Sequence, residues 1–520
     1  MNKRNTKTND HQEPLFALVK SMTKSEKRQF KLYVGRFDGN VDAKFYSLFV
    51  LLDKMNSYDE DVILKNKIVT KQQLSNLKAH LYRQILVSLR LNPAHKNIRI
   101  QIREQLDFAT VLYQKGLYKQ SLKLLEKARV LAIENEEKNT AYEVVELEKV
   151  IETQYITRSI ISRSDELSAM AEDLSRQNIL TSKLSNLSLQ LYGILLNTGY
   201  VKNNEELQNI KNFFKARLPE YDIEMLGFRE KLWLYKAYLW YSFLIQDFLM
   251  SYRYAQKWVD LFHEFPKMKH LNPVFYLKGR NYQLEALFYV KHTNKYKAEL
   301  TAFEEELEAE VFPLNNNTDT IIFIYHYFSK LNLYFLEGNF DEGLYLVSEI
   351  EEKMKSLGSR LDRHYVVVFY YKIACLYFGA GDNKTCISYL EKIINNKTLR
   401  AREDLQCFAR ILSLVAHYDA GLDYHLERQL RETYKFLLKM ENLQEVQKEF
   451  IATIKGLGNV YPHQINKEFK KIHARLKKFE DHPYEKRAFL YLDILSWLES
   501  KIEHKPVAQV IKEKATQYLR

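Results

Sequence analysis

The chain contains little glycine, proline and cysteine. Its 520 residues include 15 Gly, 9 Pro and 3 Cys. An all-β protein needs a tight turn, commonly built on Gly or Pro, about every ten residues, so this composition excludes an all-β fold. An apolar fraction of 46% with 28% charged residues excludes a disordered chain. The residues that dominate the sequence favour helix, which predicts an all-α fold.

Long apolar runs are also missing. The longest uncharged segment, 184–201, includes Ser, Asn, Gln, Thr and two Gly, whereas a membrane-spanning helix needs about 20 mainly apolar residues. We therefore expect no membrane span and interpret this segment as a buried helix followed by a turn. The polar first residues contain no secretory signal, and the three cysteines lack CxxC spacing. Both features indicate reduced thiols and predict a cytoplasmic protein.

The motifs that mark nucleotide, metal and catalytic sites are absent from the sequence. No GxxxxGK[ST], GxGxxG or HExxH occurs. His263 and His270 flank Pro266, so they cannot share one rigid helical face for a metal. We therefore expect no catalytic residue, no cofactor and no metal, and the chain is predicted not to be an enzyme.

A helix–turn–helix pattern recurs along the chain. It is clearest at 370–394, where one helix is predicted to end at Ala380–Gly381 and the chain to turn at Asp382–Asn383. The segments 105–128 and 327–350 follow the same pattern. Gly suits the end of the first helix because a left-handed conformation does not strain it. The predicted turns, 37 to 48 residues apart, are Gly116, Ser162, Gly199, Gln246–Asp247, Asn294, Gly338, Gly381 and Gly421.

These units resemble the tetratricopeptide repeat. The resemblance rests on small residues at the helix contacts, Gly at the turn and large apolar residues in the second helix. The matching residues are Ala109, Gly116, Tyr118, Ser121, Leu125 and Ala128; Tyr334, Gly338, Phe340, Gly343, Val347 and Ile350; and Ala374, Tyr377, Gly381, Cys386, Leu390 and Ile393. The units are longer than the family's repeat of about 34 residues. The resemblance implies an α-solenoid, in which antiparallel helix pairs form a right-handed superhelix that binds proteins or peptides in a groove lined by the first helices.

Four segments are predicted along the chain: a disordered tail at 1–11, a small basic N-terminal helical domain at 12–92, the helical-repeat superhelix at 97–457, and C-terminal capping helices at 465–520. The first helical domain ends at Asn92–Pro93 because Pro disfavours helix in the residue before it. Within that domain, Thr23 and Glu26 predict a capping box, and Thr70 is expected to cap a long helix.

One set of aromatic residues aligns late in the first helix of different repeats: Tyr113, Phe243, Phe335, Phe378 and Tyr418. If this position faces the groove, the groove suits the apolar anchors of a peptide. The competing interpretation is that these rings fill the core between long helices. One subgroup of the family holds a terminal carboxylate with Lys, Asn and Arg. Only Asn332 matches that pattern here, so we expect no carboxylate clamp.

The net charge of +12 is unevenly distributed. Residues 1–100 hold 19 Lys/Arg and 9 Asp/Glu, or +10; residues 461–520 hold 13 and 8, or +5; the middle therefore carries 12 − 10 − 5 = −3. A basic end can attract nucleic acid, and the plainer explanation is a set of solvated helix faces. The candidate residues are Lys24, Lys27, Arg28 and Lys31, or Lys467, Lys470, Lys471, Arg475, Lys477 and Lys478.

Three functional hypotheses follow. The leading one is a non-catalytic cytoplasmic adaptor or scaffold that binds a protein or peptide in the groove of the superhelix. The alternative is a regulatory protein that binds nucleic acid through its basic N-terminal or C-terminal helices. The third is a structural role, in which incompletely capped solenoids associate end to end.

Overall fold

In a computed structural model of the chain, the predicted all-α fold is confirmed for the residues that the structure describes. These residues form helices and turns and contain no strand. The described residues are 13–36, 44–92, 97–154, 163–309, 311–312, 315–395, 403–437, 446, 449, 465–480, 482–485 and 493–518. The predicted tail at 1–11 and the predicted turn at Ser162 lie outside them.

The chain divides into two compact units, residues 1–175 and 176–520, and the division falls within helix α9. The first unit holds α1 (Pro14–Ser21), α2 (Lys24–Val34), α3 (Lys44–Lys54), α4 (Glu60–Lys65), α5 (Lys71–Arg90), α6 (Ile98–Gln114), α7 (Tyr118–Glu134), α8 (Lys138–Gln154) and the start of α9 (Arg163–Thr198). The segment bounds predicted from the sequence stay predictions.

The second unit contains the remaining helices. They are α10 (Asn204–Arg217), α11 (Phe228–Leu244), α12 (Phe248–Glu264), α13 (Lys267–Leu271), α14 (Pro273–Tyr289), α15 (Thr293–Glu308), α16 (Asn316–Glu337), α17 (Phe340–Leu344), α18 (Leu346–Leu357), α19 (Arg363–Gly379), α20 (Asn383–Ile394), α21 (Glu403–Asp419), α22 (Asp423–Leu437), α23 (Ile465–Lys477), α24 (Ile494–Glu503) and α25 (Val507–Tyr518). Among the described residues, no helix combines the length and the apolar character that crossing a membrane requires.

The predicted capping box at the start of α2 is confirmed. The Thr23 hydroxyl accepts a hydrogen bond from the Glu26 amide at 3.2 Å, and the Glu26 carboxylate accepts one from the Thr23 amide at 2.6 Å. Two of the amides that lack helical partners at this end are thereby satisfied. Thr70 also precedes its helix, α5, but its side chain makes no capping bond, so that prediction was wrong. The Thr70 carbonyl instead accepts from the Leu74 amide, and the backbone alone begins α5.

Small residues bring α6 and α7 together, as the repeat pattern predicts. Ala109 and Ser121 are fully buried, and the Ser121 hydroxyl donates to the Ala109 carbonyl at 2.7 Å. A hydroxyl that bonds to the facing backbone needs a close approach of the two helices, which a larger side chain would prevent. Gly116 lies between the helices with φ +74°, the left-handed conformation expected at this turn.

Helix pairs continue through the second unit: α11 with α12, α14 with α15, α16 with α17 and α18, α19 with α20, and α21 with α22. Between the two helices of each pair stands one residue in the left-handed conformation. These residues are Gln246 (φ +60°), Lys291 (φ +55°), Gly338 (φ +68°), Gly381 (φ +85°) and Gly421 (φ +66°). The turns predicted at four of these residues are confirmed, and so is the turn at Gly199, which follows α9 with φ +75°.

The turn expected at Asn294 lies three residues earlier. Lys291 adopts the left-handed conformation, and Asn294 is already inside α15. The His292 imidazole accepts from the Lys295 amide at 3.4 Å and acts as the N-cap. A lysine in a left-handed turn and a histidine cap are both uncommon, which is why the sequence pattern misplaced this turn.

Two glycines allow α17 and α19 to touch. A Cβ atom at Gly379 would lie 2.3 Å from the Phe340 ring, and one at Gly343 would lie 2.7 Å from Leu376. Both distances are too short for real atoms, so each glycine leaves a space that a large side chain of the other helix fills. These contacts fix how α19 lies against the preceding pair.

The C-terminal segment contacts several separate helix pairs of the second unit. Trp497 of α24 donates to Asp419 of α21 at 3.1 Å. The Tyr484 carbonyl accepts from Gln246, in the turn between α11 and α12, at 3.1 Å. Helix α25 lies against the turn at Gly338, where a Cβ atom would lie 3.0 Å from a carbonyl of α25. The segment therefore braces turns that are far apart in the sequence.

Substitution of Gly379 tests the contact between α17 and α19. We expect Gly379→Ala to lower the melting temperature and to destabilise the fold by about 2 kcal/mol, because overpacking outweighs the gain in helix propensity. The matched control is Gly193→Ala, also inside a helix, where a Cβ atom would meet nothing within 4 Å. That control should be neutral or stabilise by up to about 1 kcal/mol. Circular dichroism melts measure both, and equal melting temperatures for the two variants would contradict the packing described.

Candidate functional site

The first helices of the pairs in the second unit carry aromatic side chains along one face. On α11, Trp233, Trp240 and Phe243 are spaced by seven and three residues, which places them on the same side of the helix. Intervals of three or seven residues also separate the rings of α14 and of α16, and α19 contributes one ring. We call the resulting surface the aromatic face; it comprises Trp233, Trp240 and Phe243 of α11, Phe275, Tyr282 and Tyr289 of α14, Tyr325, Phe328 and Phe335 of α16, and Tyr365 of α19.

Rings of the aromatic face contact one another between helices. The ring centroids of Trp240 and Tyr282 are 5.0 Å apart, and those of Phe328 and Tyr365 are 6.2 Å apart. Most of these rings are half-buried; Trp240, Phe243 and Tyr325 are buried. Offset and edge-to-face ring pairs at such distances are favourable, so rings join α11 to α14 and α16 to α19.

Lys372 of α19 lies among three rings that belong to two other first helices. Its Nζ atom is 5.4 Å from the Phe335 ring, 5.5 Å from Phe328 and 5.9 Å from Phe288. The ammonium group also donates a hydrogen bond to the side-chain carbonyl of Asn332. Burial lowers the pKa of Lys372 to about 8, although the Cys375 thiol and the Glu285 carboxylate oppose this shift.

Lys236 of α11 has a similar aromatic environment but no polar partner. Its Nζ atom is 4.1 Å from the Trp233 ring, 5.3 Å from Phe275 and 5.7 Å from Trp258. Burial and, to a smaller extent, the positive charge of Lys278 lower the pKa of Lys236 to about 8. Within the described part of the chain, no carboxylate or other acceptor bonds to this amine. Cation–π attraction is therefore its main compensation for lost hydration.

The structure brings two of the residues predicted from the sequence together. Asn332 and Phe335 both contact the Lys372 side chain. Phe243 is buried and packs against Tyr282 and Tyr289 of the next first helix, with ring centroids 6.3 Å and 6.1 Å away. These three residues belong to the second unit, and their role in binding stays a prediction.

The other three predicted groove residues lie elsewhere. Phe378 is only 8% exposed. Tyr418 packs against Phe469 and Trp497 of the C-terminal helices, with centroid distances of 5.9 Å and 6.2 Å. Tyr113 belongs to the first unit, where its hydroxyl accepts from Gln154 at 3.0 Å. Aligning the repeats on their turn residues therefore grouped residues that lie in different surroundings.

Sequence reasoning missed both ring-enclosed lysines and most of the rings around them. The missed residues are Trp233, Lys236, Phe275, Phe288, Phe328 as a lysine contact, and Lys372. A usable signal exists, because the four first helices α11, α14, α16 and α19 repeat aromatic residues at intervals of three, four or seven. Alignment of the helices on their turns alone did not use that signal.

The basic residues proposed for nucleic-acid binding lie on α2. Lys24, Arg28 and Lys31 are exposed. Lys27 is half-buried, and its Nζ atom pairs with Asp53 at 2.6 Å. Three cations on one short helix therefore face solvent, while the fourth serves the contact between α2 and α3.

No group of three or more His, Cys, Asp or Glu side chains that could hold a metal ion occurs in the described ranges. Comparison of the chain with protein-family models, with curated proteins and with solved structures finds no match.

The environment of Lys236 predicts a pH-dependent stability. Folding lowers the pKa of this lysine, so between pH about 8 and about 10.5 the folded chain binds fewer protons than the unfolded chain. Below this window the lysine is charged in both states, and burial of the charge destabilises the fold. We expect Lys236→Met to raise the free energy of unfolding by about 1–2 kcal/mol at pH about 7, after allowance for the partly exposed amine. The advantage should shrink as the pH rises through this window and disappear above about pH 10.5.

Chemical denaturation at several pH values measures this difference. The matched control is Lys257→Met on α12, because Lys257 is exposed and its Nζ atom lies 5.4 Å from the Tyr254 ring. We expect the control to change stability by less than about 0.5 kcal/mol. A destabilised Lys236→Met at neutral pH would contradict the environment described.

Proposed function

We propose that the chain is a non-catalytic adaptor or scaffold that binds a protein or peptide on its aromatic face. The observation that favours this function most is the set of mostly half-buried rings on four successive first helices. Half-buried aromatic side chains offer a large contact area with little conformational entropy to lose, and they dominate the energetics of protein interfaces. Binding by burial of apolar anchors requires no turnover.

We further propose that the helix pairs stack as a tetratricopeptide-like, right-handed α-solenoid whose groove is the aromatic face. Three features support this arrangement. Successive pairs contact each other along the chain, and each turn described above has a left-handed residue. Small residues also occupy the helix contacts, as at Ala109 with Ser121, at Gly343 against Leu376 and at Gly379 against Phe340. A cytoplasmic location is proposed because the three cysteines are free thiols.

Truncation of two rings tests the proposed function. The full-length protein is immobilised, exposed to nuclease-treated extract of its native cells, and any captured protein is identified, purified and titrated by calorimetry. We expect the double variant Phe328→Ala/Phe335→Ala to weaken binding at least about tenfold, because truncated aromatic anchors cost 2 kcal/mol or more. Tyr345→Ala serves as control, since Tyr345 is 84% exposed and lies outside the aromatic face.

Equal affinity of the double variant and the control would refute binding on the aromatic face. Recovery of the chain itself as the only captured protein would favour the structural, self-associating role instead. A circular dichroism spectrum of each variant shows that it is folded.

The exposed cations of α2 favour nucleic acid as a second candidate partner. The exposed side chains of Lys24, Arg28 and Lys31 can contact phosphates. On this alternative, affinity for a DNA or RNA duplex should fall steeply between about 50 and about 200 mM salt. It should also drop in the variant Lys24→Gln/Arg28→Gln/Lys31→Gln. Filter binding or fluorescence anisotropy measures both, and affinity that does not change with salt would exclude this candidate.

A further inference from the structure

Around Lys236, the aromatic face contains a small region that is both positively charged and apolar. We define the Lys236 subsite as Lys236, Lys278 and the three rings nearest the Lys236 amine, Trp233, Trp258 and Phe275. Three helices contribute to it: α11, α12 and α14. Lys236, Lys278, Trp233 and Phe275 are half-buried, whereas Trp258 is completely buried and forms the base. Both lysine side chains are therefore partly exposed to solvent.

Lys236 differs from several partly buried lysines of this unit that have a carboxylate as partner. These are Lys269 with Glu306 at 3.1 Å, Lys501 with Asp419 at 2.8 Å and Lys514 with Glu499 at 2.6 Å. Lys236 has none among the described residues, and its charged neighbour, Lys278, repels it. A buried charge without a partner destabilises a fold, whereas Met or Leu would fill the same space at no electrostatic cost. Positions that sacrifice stability in this way are typical of binding sites.

Lys372 lies on the same face, but its charge is compensated within the protein. It also lies among three rings, but it donates a hydrogen bond to Asn332, and the negative charge of Glu285 attracts it. Its ammonium group is therefore satisfied within the protein. Lys236 has no such acceptor among the described residues, and an anion from a ligand would compensate its charge.

The surroundings favour a carboxylate over a phosphate. Phosphate recognition typically uses the planar fork of Arg or several backbone amides, whereas the Lys236 subsite offers two ammonium groups and three rings. A nucleic acid would also require many phosphate contacts, yet residues 101–460 carry a net charge of −3 (12 − 10 − 5). One or two carboxylates flanked by apolar side chains match both the subsite and the aromatic surface that continues from it.

We propose that the Lys236 subsite binds the side-chain carboxylate of an acidic peptide segment, whose neighbouring apolar side chains lie against the aromatic face. This inference rests on the proposed function, because it names the chemistry of the ligand for the same surface. The partner is therefore a protein that exposes Asp or Glu between aromatic or aliphatic residues. Asp or Glu supplies the counter-charge that the subsite lacks.

A selection from short random peptides tests the proposal. The full-length chain, its Lys236→Met variant and the control Lys257→Met are each presented to a displayed library, and the retained sequences are compared. With the wild-type chain and the control, we expect enrichment of peptides that combine Asp or Glu with apolar residues. With Lys236→Met, the apolar residues should stay enriched and the acidic ones should not.

The strongest selected peptide and its Glu→Gln or Asp→Asn version are then titrated against each protein. We expect either change, in the peptide or at Lys236, to weaken binding about tenfold, and the two changes together to weaken it hardly further. Such non-additivity identifies Lys236 as the partner of that carboxylate. A general loss of folding would instead weaken both peptides equally.

Two other outcomes would overturn the inference and can be told apart. Selected peptides without acidic residues, or with equal affinity for Lys236→Met, would refute the carboxylate and leave peptide binding on the aromatic face intact. If no peptide is enriched, both the inference and the proposed function fail for peptide ligands. Lys236-dependent binding of a single-stranded oligonucleotide, measured in parallel, would replace the acidic peptide with a nucleic acid.

Discussion

Close approach of helices at glycine determines how the second unit is built. Gly279 receives Trp258, Gly343 receives Leu376, and Gly379 receives Phe340; a Cβ atom at each glycine would lie within 3.0 Å of that side chain. Each contact inserts a large side chain into a space that only glycine leaves, so the helices cannot slide past each other without a clash. With this register fixed, the aromatic stripes of successive first helices lie side by side and form one face.

The same face carries two lysines whose amines lie among aromatic rings. Burial lowers the pKa of Lys236 and of Lys372 to about 8, and rings surround both amines. A purely structural surface would carry Met or Leu at these positions. The two lysines differ in their compensation, because Lys372 donates to Asn332 whereas Lys236 has no acceptor among the described residues. The proposed recognition role rests on the uncompensated charge of Lys236.

Local signals in the sequence were sufficient for the elements that depend on local interactions. The capping box at Thr23 and the turns at Gly338, Gly381 and Gly421 follow from residues within a few positions of one another. Turns formed by residues other than glycine were harder: Lys291 was missed, and Glu136, with φ +59°, was not predicted. A lysine or glutamate in the left-handed conformation cannot be recognised from its residue type, because contacts with neighbouring residues stabilise that conformation.

The surroundings of the two lysines could not be predicted from the sequence, because they depend on contacts between different helices. Asn332 and Phe335 were found because each belongs to a recognisable repeat, but their shared partner Lys372 comes from a different helix. A lysine on a helix normally lies in solvent. The surroundings of Lys236 and Lys372 differ, which is visible only from the rings that α11, α12, α14 and α16 place around their amines. Likewise, the hydrogen bond between Gln246 and the Tyr484 carbonyl joins residues 238 positions apart, beyond the reach of any periodicity.

Site-specific photo-crosslinking in the native cells tests most directly whether a partner lies on the aromatic face. A photoreactive phenylalanine analogue replaces either Phe328, on the face, or Tyr345, which is 84% exposed and outside it. The account predicts a discrete crosslinked protein from position 328 and none from position 345. Crosslinks of equal yield from both positions, or from position 345 alone, would contradict it.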